Sequence, residues 1–190
     1  IGLTANFASV DTDGSETELS GDKEVTNASV SEDHVLPELF IEALSDNGFA
    51  VGIAYIPVRE LGAKKRTDTS PTGDTETEDA GDYKASAELD NVVQVYTNIP
   101  LGPVYVMLGV QHAELLTTES LDEQNDYEDA SLFGYSVGLG YRGSIGDAFY
   151  KVEGQYTDFN EYKDISSSNE HEVVADTEVY AVKLSLGMAF

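Results

Sequence analysis

Residues 133–142 read FGYSVGLGYR, in which Phe133, Tyr135, Val137, Leu139 and Tyr141 alternate with Gly134, Ser136, Gly138, Gly140 and Arg142. A two-residue period places the first set on one face of an extended chain and the second set on the other. The constraint lies in the contrast of size: one face is bulky and apolar, the other small and polar. The pattern recurs along the chain. Residues 1–10 set Leu3, Ala5 and Phe7 against Thr4, Asn6 and Ala8, and residues 34–44 set Val35, Leu39, Ile41 and Ala43 against Leu36, Glu38, Phe40 and Glu42. Phe49, Val51, Ile53 and Tyr55 then oppose Ala50, Gly52 and Ala54. Residues 85–98 set Leu89, Val93 and Val95 against Glu88, Asp90, Gln94 and Asn98. Val104, Val106, Leu108 and Val110 oppose Tyr105, Met107, Gly109 and Gln111, and Tyr150, Val152 and Tyr156 oppose Lys151, Glu153, Gln155 and Thr157. The eighth segment, 178–190, ends on Phe190. No helical period of comparable length competes, so the fold class is all-β.

The connections alternate in length. Short turns fall at SDNG (45–48), around Pro100–Pro103, and at GSIGD (143–147). Between them lie four long stretches, 11–33, 62–82, 117–130 and 158–176, which hold 26 of the 36 acidic residues. These are rich in Ser, Thr, Asn and Gly, lack an apolar period, and read as loops. An antiparallel up-and-down meander sends four long loops to one end and three short turns to the other, and strand eight can close on strand one. Closure leaves no unpaired sheet edge. Residues 1–190 are expected to form a single domain.

Two barrels fit that topology, and they differ in which face is wet. A soluble lipocalin-like ligand-binding barrel would point its bulky residues inward. An eight-stranded barrel, however, has an interior only wide enough for side chains to fill it. The small face therefore belongs inside, and a bulky apolar outside must meet lipid. Tilted strands cross a bilayer in about 9–11 residues. Residues 133–141 have that length, and aromatic residues bracket this segment and the two after it, as interfacial girdles do. No run of 18 apolar residues forms a membrane-spanning helix.

In this arrangement, the chain resembles the small eight-stranded outer-membrane barrels of Gram-negative bacteria, of the outer-membrane-protein A, X and opacity-protein type. The most specific part of the likeness is the final strand, with Tyr180, Val182, Leu184, Leu186 and Met188 at alternate positions and Phe190 at the end. The resemblance implies that these residues are an assembly signal read by the barrel-assembly machinery. It implies residence in the outer membrane after removal of a signal peptide, since residues 1–10 already alternate and carry no basic start. It also implies contact with the lipid bilayer and lipopolysaccharide. The expected function is a structural barrel that displays acidic loops for surface interaction or envelope integrity, including contact with surface partners or neighbouring barrels. The alternative within the same fold is a narrow ion-conducting channel.

Several charges fall on the inward face: Glu38, Glu42, Lys151, Glu153 and Lys183, with Arg142 near the short-turn end. Buried charges persist only when paired, so these are expected to form a salt-bridge network that plugs the lumen. Pro37 and Pro57 lack a ladder donor and are expected to mark the outer rim of the membrane zone. Asp11, Asp13, Glu16 and Glu18 are the candidates for calcium or magnesium, although the stretch fails the EF-hand template. Lys64, Lys65 and Arg66 form the one basic cluster, placed to meet acidic loops or lipopolysaccharide phosphates. A net charge of −26 opposes binding to nucleic acid. There is no Cys, and His34, His112 and His171 show neither triad nor metal spacing. Enzyme chemistry is not expected.

Overall fold

The computed structural model describes residues 1–19, 25–57, 59–68, 81–120, 130–165 and 171–190, with side chains described except at 18, 59–68, 81–90, 115–120 and 171. The strands are β1 (Gly2–Glu18), β2 (Val25–Leu44), β3 (Ala50–Ile56), β4 (Arg59–Asp68), β5 (Gly81–Leu101), β6 (Val104–Ser120), β7 (Ala130–Ile145), β8 (Ala148–Phe159), β9 (Tyr162–Ile165) and β10 (His171–Met188). β4 continues the wall of β3 and β9 that of β8, since β4 pairs with β5 and β9 with β10. Eight walls therefore run antiparallel in chain order, and β10 pairs with β1 to close the ring.

The turns at the short end are tight. Gly102 and Pro103 link Leu101 to Val104, and Gly146 and Asp147 link Ile145 to Ala148. Gly48, Gly102 and Gly146 have φ of 85°, 74° and 62°, a left-handed backbone that glycine adopts without a Cβ clash. In the Ser45–Phe49 turn the Ser45 hydroxyl donates to the Phe49 carbonyl at 2.7 Å.

The acidic stretches read as loops are in large part ladder. Residues 11–17 pair on both sides, with β10 and with β2, and Val25–Asp33 lie within β2. Thr, Ser and Val alternate there with carboxylates, a composition that suits strands wetted outside the bilayer. Residues 20–24, 69–80, 121–129 and 166–170, within the stretches expected to be loops, lie outside the described residues. On β5 the alternation is broken by a bulge: register shifts between Asp90 and Val93, and Asn91 takes φ 48°. The prolines meet their expectation on one side only. The β2–β3 ladder stops at Leu39–Tyr55, short of Pro37 and Pro57, but Pro37 lies inside the β1–β2 ladder opposite Ala5. Phe190 lies past the end of β10, and the seam closes instead through Met188 N–H donating to the Ile1 carbonyl at 2.9 Å.

Burial follows parity around the ring. Tyr135 is 77% exposed, Leu186 69% and Val137 48%, whereas Lys183 is 5% exposed and Thr157 1%. Glycines on the wall take aromatic rings as roofs: a Cβ on Gly52 or Gly140 would fall within 2.3 Å of the ring of Tyr96 or Tyr105. With Leu184 midway along the exposed stretch from Tyr180 to Met188, replacing it by Arg sets a charge against hydrocarbon. Leu184→Arg is expected to destabilise the folded barrel by about 2–4 kcal/mol in lipid, read by urea titration with heat-modifiable gel mobility.

Candidate functional site in the barrel lumen

The inward residues form three layers along the axis. At the end bearing the long strands, Leu36, Ile56, Val92, Leu132 and Phe159 pack with Ala8, Ala113 and Ala181 into an apolar layer. At the short-turn end Phe40, Ala54, Tyr96, Tyr105 and Met107 pack with Phe149. Between and among them sit the charges.

Glu42 is the hub of the inner half. Its side chain is 3% exposed, and its carboxylate accepts from Arg142, from Lys151 Nζ at 3.1 Å, from the Tyr96 hydroxyl at 3.0 Å and from Asn98 Nδ2 at 3.3 Å. Lys151 Nζ lies 4.2 Å from the Phe40 ring centroid and Arg142 lies 5.1 Å from that of Phe149, so both cations also rest on aromatic faces. Glu38 takes Lys183 at 2.8 Å. A polar chain continues across the tube: Lys183 donates to Gln94 Oε1 at 3.2 Å, and Gln94 Nε2 donates to Ser136 Oγ at 3.0 Å. Ser136 and Thr157 hydroxyls meet at 2.8 Å, and Gln155 Nε2 donates to Thr157 at 2.8 Å.

Glu153 is buried beside Lys183, its register partner on β10, and no ion pair to it is formed among the described residues. Among the described residues, Glu38, Glu42 and Glu153 share this part of the lumen with Arg142, Lys151 and Lys183. Parity places Glu38, Glu42, Lys151, Glu153 and Lys183 inside; the structure pairs Glu38 with Lys183 and Glu42 with Lys151 and Arg142, two sets rather than one salt-bridge network, with Glu153 in neither. Parity did not identify Tyr96 and Asn98 as ligands of Glu42, nor the outer apolar layer. The signal for that layer is in Leu36, Leu132 and Phe159, apolar residues on a parity that elsewhere on the same strands carries Glu38, Ser136 and Thr157.

The space among Glu38, Gln94, Tyr96, Lys151, Glu153 and Lys183 is a cavity of about 10 Å³, room for a single water molecule. A bulky apolar exterior around a charged, filled interior is the reverse of a soluble barrel. The molecule is a membrane-spanning β-barrel.

Aromatic girdles bound the exposed belt on β7, β8 and β10: Tyr141 and Tyr150 pair at 6.1 Å between centroids toward the short turns, and Tyr156 and Tyr180 at 5.1 Å toward the long strands. Neither family models nor curated proteins match the chain. Among solved structures, Neisserial surface protein A is similar at 12% identity over 100% of both chains, with a TM-score of 0.40. A Pseudomonas aeruginosa homologue of FadL is similar at 8% identity over 97% of this chain and 90% of that one, with a TM-score of 0.28. A porin follows at 10% identity, 95% and 99% coverage, and a TM-score of 0.14. At these TM-scores none of the three adds to what the geometry above establishes.

The other candidate residues are not brought together. In the unbroken β1 ladder Asp11 and Asp13 fall on the outward parity and Glu16 on the inward one, while the Glu18 side chain lies outside the described residues. Strand alternation therefore splits the set expected to gather calcium or magnesium, and no group of three metal-ligating side chains forms among the described residues. Lys64, Lys65 and Arg66 lie on β4, with side chains outside the described set. His34 stands 3.6 Å from Glu32, His112 packs on the Phe133 ring, and His171 begins β10.

Removing the hub leaves two cations facing each other in a closed tube. Glu42→Ala is expected to cost about 3–5 kcal/mol, the range for breaking a buried ion pair. Exposed Asp176→Ala is expected to stay within about 0.5 kcal/mol. Urea unfolding in the same lipid compares the two.

Proposed function

We propose that the chain is a structural barrel of a Gram-negative outer membrane whose working surface is the acidic, strand-built extension beyond the bilayer. The observation that supports this reading is the closed lumen: with the tube filled by side chains, what the barrel offers the medium is its exterior end. That end is strongly anionic. Asp11 pairs in register with Glu178, and Glu178 with Asp158, so carboxylates stand opposite one another across three adjacent walls. Asp13 likewise faces Asp176. Like charges in direct register are destabilising in a sheet, so the row costs stability and fits a surface role. Such a surface suits contact with cationic partners, with lipopolysaccharide through bridging cations, or exclusion of anionic ones. In this reading the role is not catalytic, and the assembly machinery acts on the β10 strand from Tyr180 to Met188, with Phe190 following.

The absence of cysteine permits a direct test of orientation. In a Gram-negative host, a membrane-impermeant maleimide is expected to label Thr26→Cys on intact cells and to label Asp147→Cys only after the outer membrane is permeabilised. Labelling of Asp147→Cys on intact cells would reverse the proposed surface. The channel alternative is answered by planar-bilayer recording, in which the wild-type protein is expected to show no discrete conductance steps. Steady steps that Glu42→Ala or Lys183→Met alters would favour a channel instead.

A further inference from the structure

One place on the lipid-facing surface is unlike the rest. The outward row Phe7, Val182, Gly154, Leu139, Val106 runs in direct register across β1, β10, β8, β7 and β6. Gly154 is its gap. Elsewhere on the outer face Gly143 is roofed by the Tyr150 ring, whereas a Cβ added to Gly154 would meet nothing within 4 Å. The gap opens a shallow, outward-open depression of about 910 Å³ on the wall. Its walls are almost wholly apolar, formed by Phe7, Val137, Leu139, Tyr156, Tyr180 and Val182.

The outer mouth differs in chemistry from the walls. Tyr156 and Tyr180 stack there, and the Tyr180 hydroxyl donates to Glu178 at 3.0 Å. Asp33 also lines that end. The depression is therefore apolar along its length and hydroxyl- and carboxylate-bearing at one end, on the side of the long strands.

We propose that this depression seats one hydrocarbon chain of a lipid in the outer leaflet. The depression is continuous with the belt that already contacts the bilayer, so acyl chains are the material beside it. Transfer from lipid to the depression brings no hydrophobic gain, because tails are as apolar as the walls. The preference comes from dispersion: a chain seated in the depression at Gly154 touches its floor and the flanking side chains of Phe7, Leu139 and Val182, where a chain against a flush wall touches only the crest of that wall. A second copy of this barrel is the poorer occupant, because it would bring a second carboxylate row of Asp11, Glu178 and Asp158 toward the first, and like charges across an interface oppose association.

The test uses the whole protein in phosphatidylcholine nanodiscs doped with phosphatidylcholine that carries a diazirine midway along one acyl chain. After photolysis, adducts are mapped by peptide mass spectrometry. Labelling at Leu139, Tyr156 and Val182 is expected to exceed that at Ile53 and Val95, on the far wall, several-fold. Gly154→Phe, which fills the gap, is expected to bring the two sites level, while Val95→Phe leaves the contrast unchanged, with heat-modifiable mobility confirming that each variant is folded. If Gly154→Phe does not fold, the wild-type map decides alone. Even labelling around the belt, or cross-links joining two copies at these residues, would overturn the proposal.

Discussion

A backbone in hydrocarbon has no water to satisfy it, and each unpaired N–H or C=O there costs several kcal/mol. The pairing of β1 with β10 over 17 residues answers that demand, and the rest of the molecule follows from it. A ring of eight walls has a narrow lumen, so the inward parity must be small where strands crowd. The glycines of β3 and β7 meet that need and accept the rings of Tyr96 and Tyr105 over their exposed backbone. The same narrowness leaves no room for the bulky parity inside, and it meets lipid. Orientation, girdles and filled tube are thus consequences of closure at this strand number.

The interior solves a second problem, that of polar groups in a low-dielectric tube. The Glu42 cluster shows how desolvation is offset: four donors converge on one carboxylate while Phe40 and Phe149 cover the cations. An apolar layer covers these charges at the end bearing the long strands, while Arg142 at the short-turn end stays part-exposed. The anionic extension and the Gly154 depression both lie on the exterior.

Period-two alternation carried most of the fold because residues 133–142 and 178–188 face two environments that differ in both polarity and size. The lumen charges were legible for the same reason, as Glu38, Glu42, Lys151, Glu153 and Lys183 interrupt an otherwise uncharged parity. What alternation could not separate was loop from wetted strand. Residues 11–18 carry acids on both faces, and beyond the bilayer neither face needs to be apolar, so the ladder continues without a hydrophobic signature. Extra residues were hidden too: the bulge at Asn91 resets parity on β5 without changing composition. Gly154 passed unnoticed because a single glycine in a strand reads as a weak position until its neighbours on adjacent walls are known.

The central claim, that even positions of the closing strand meet acyl chains while odd ones fill the tube, is tested most directly by a nitroxide scan of residues 181–186 in reconstituted vesicles. Oxygen, which partitions into lipid, should relax labels at 182, 184 and 186 strongly and those at 181, 183 and 185 weakly, with a water-soluble nickel complex reaching neither set. The inverse pattern, with the nickel complex quenching 183 and 185 and oxygen failing at 184, would contradict the account.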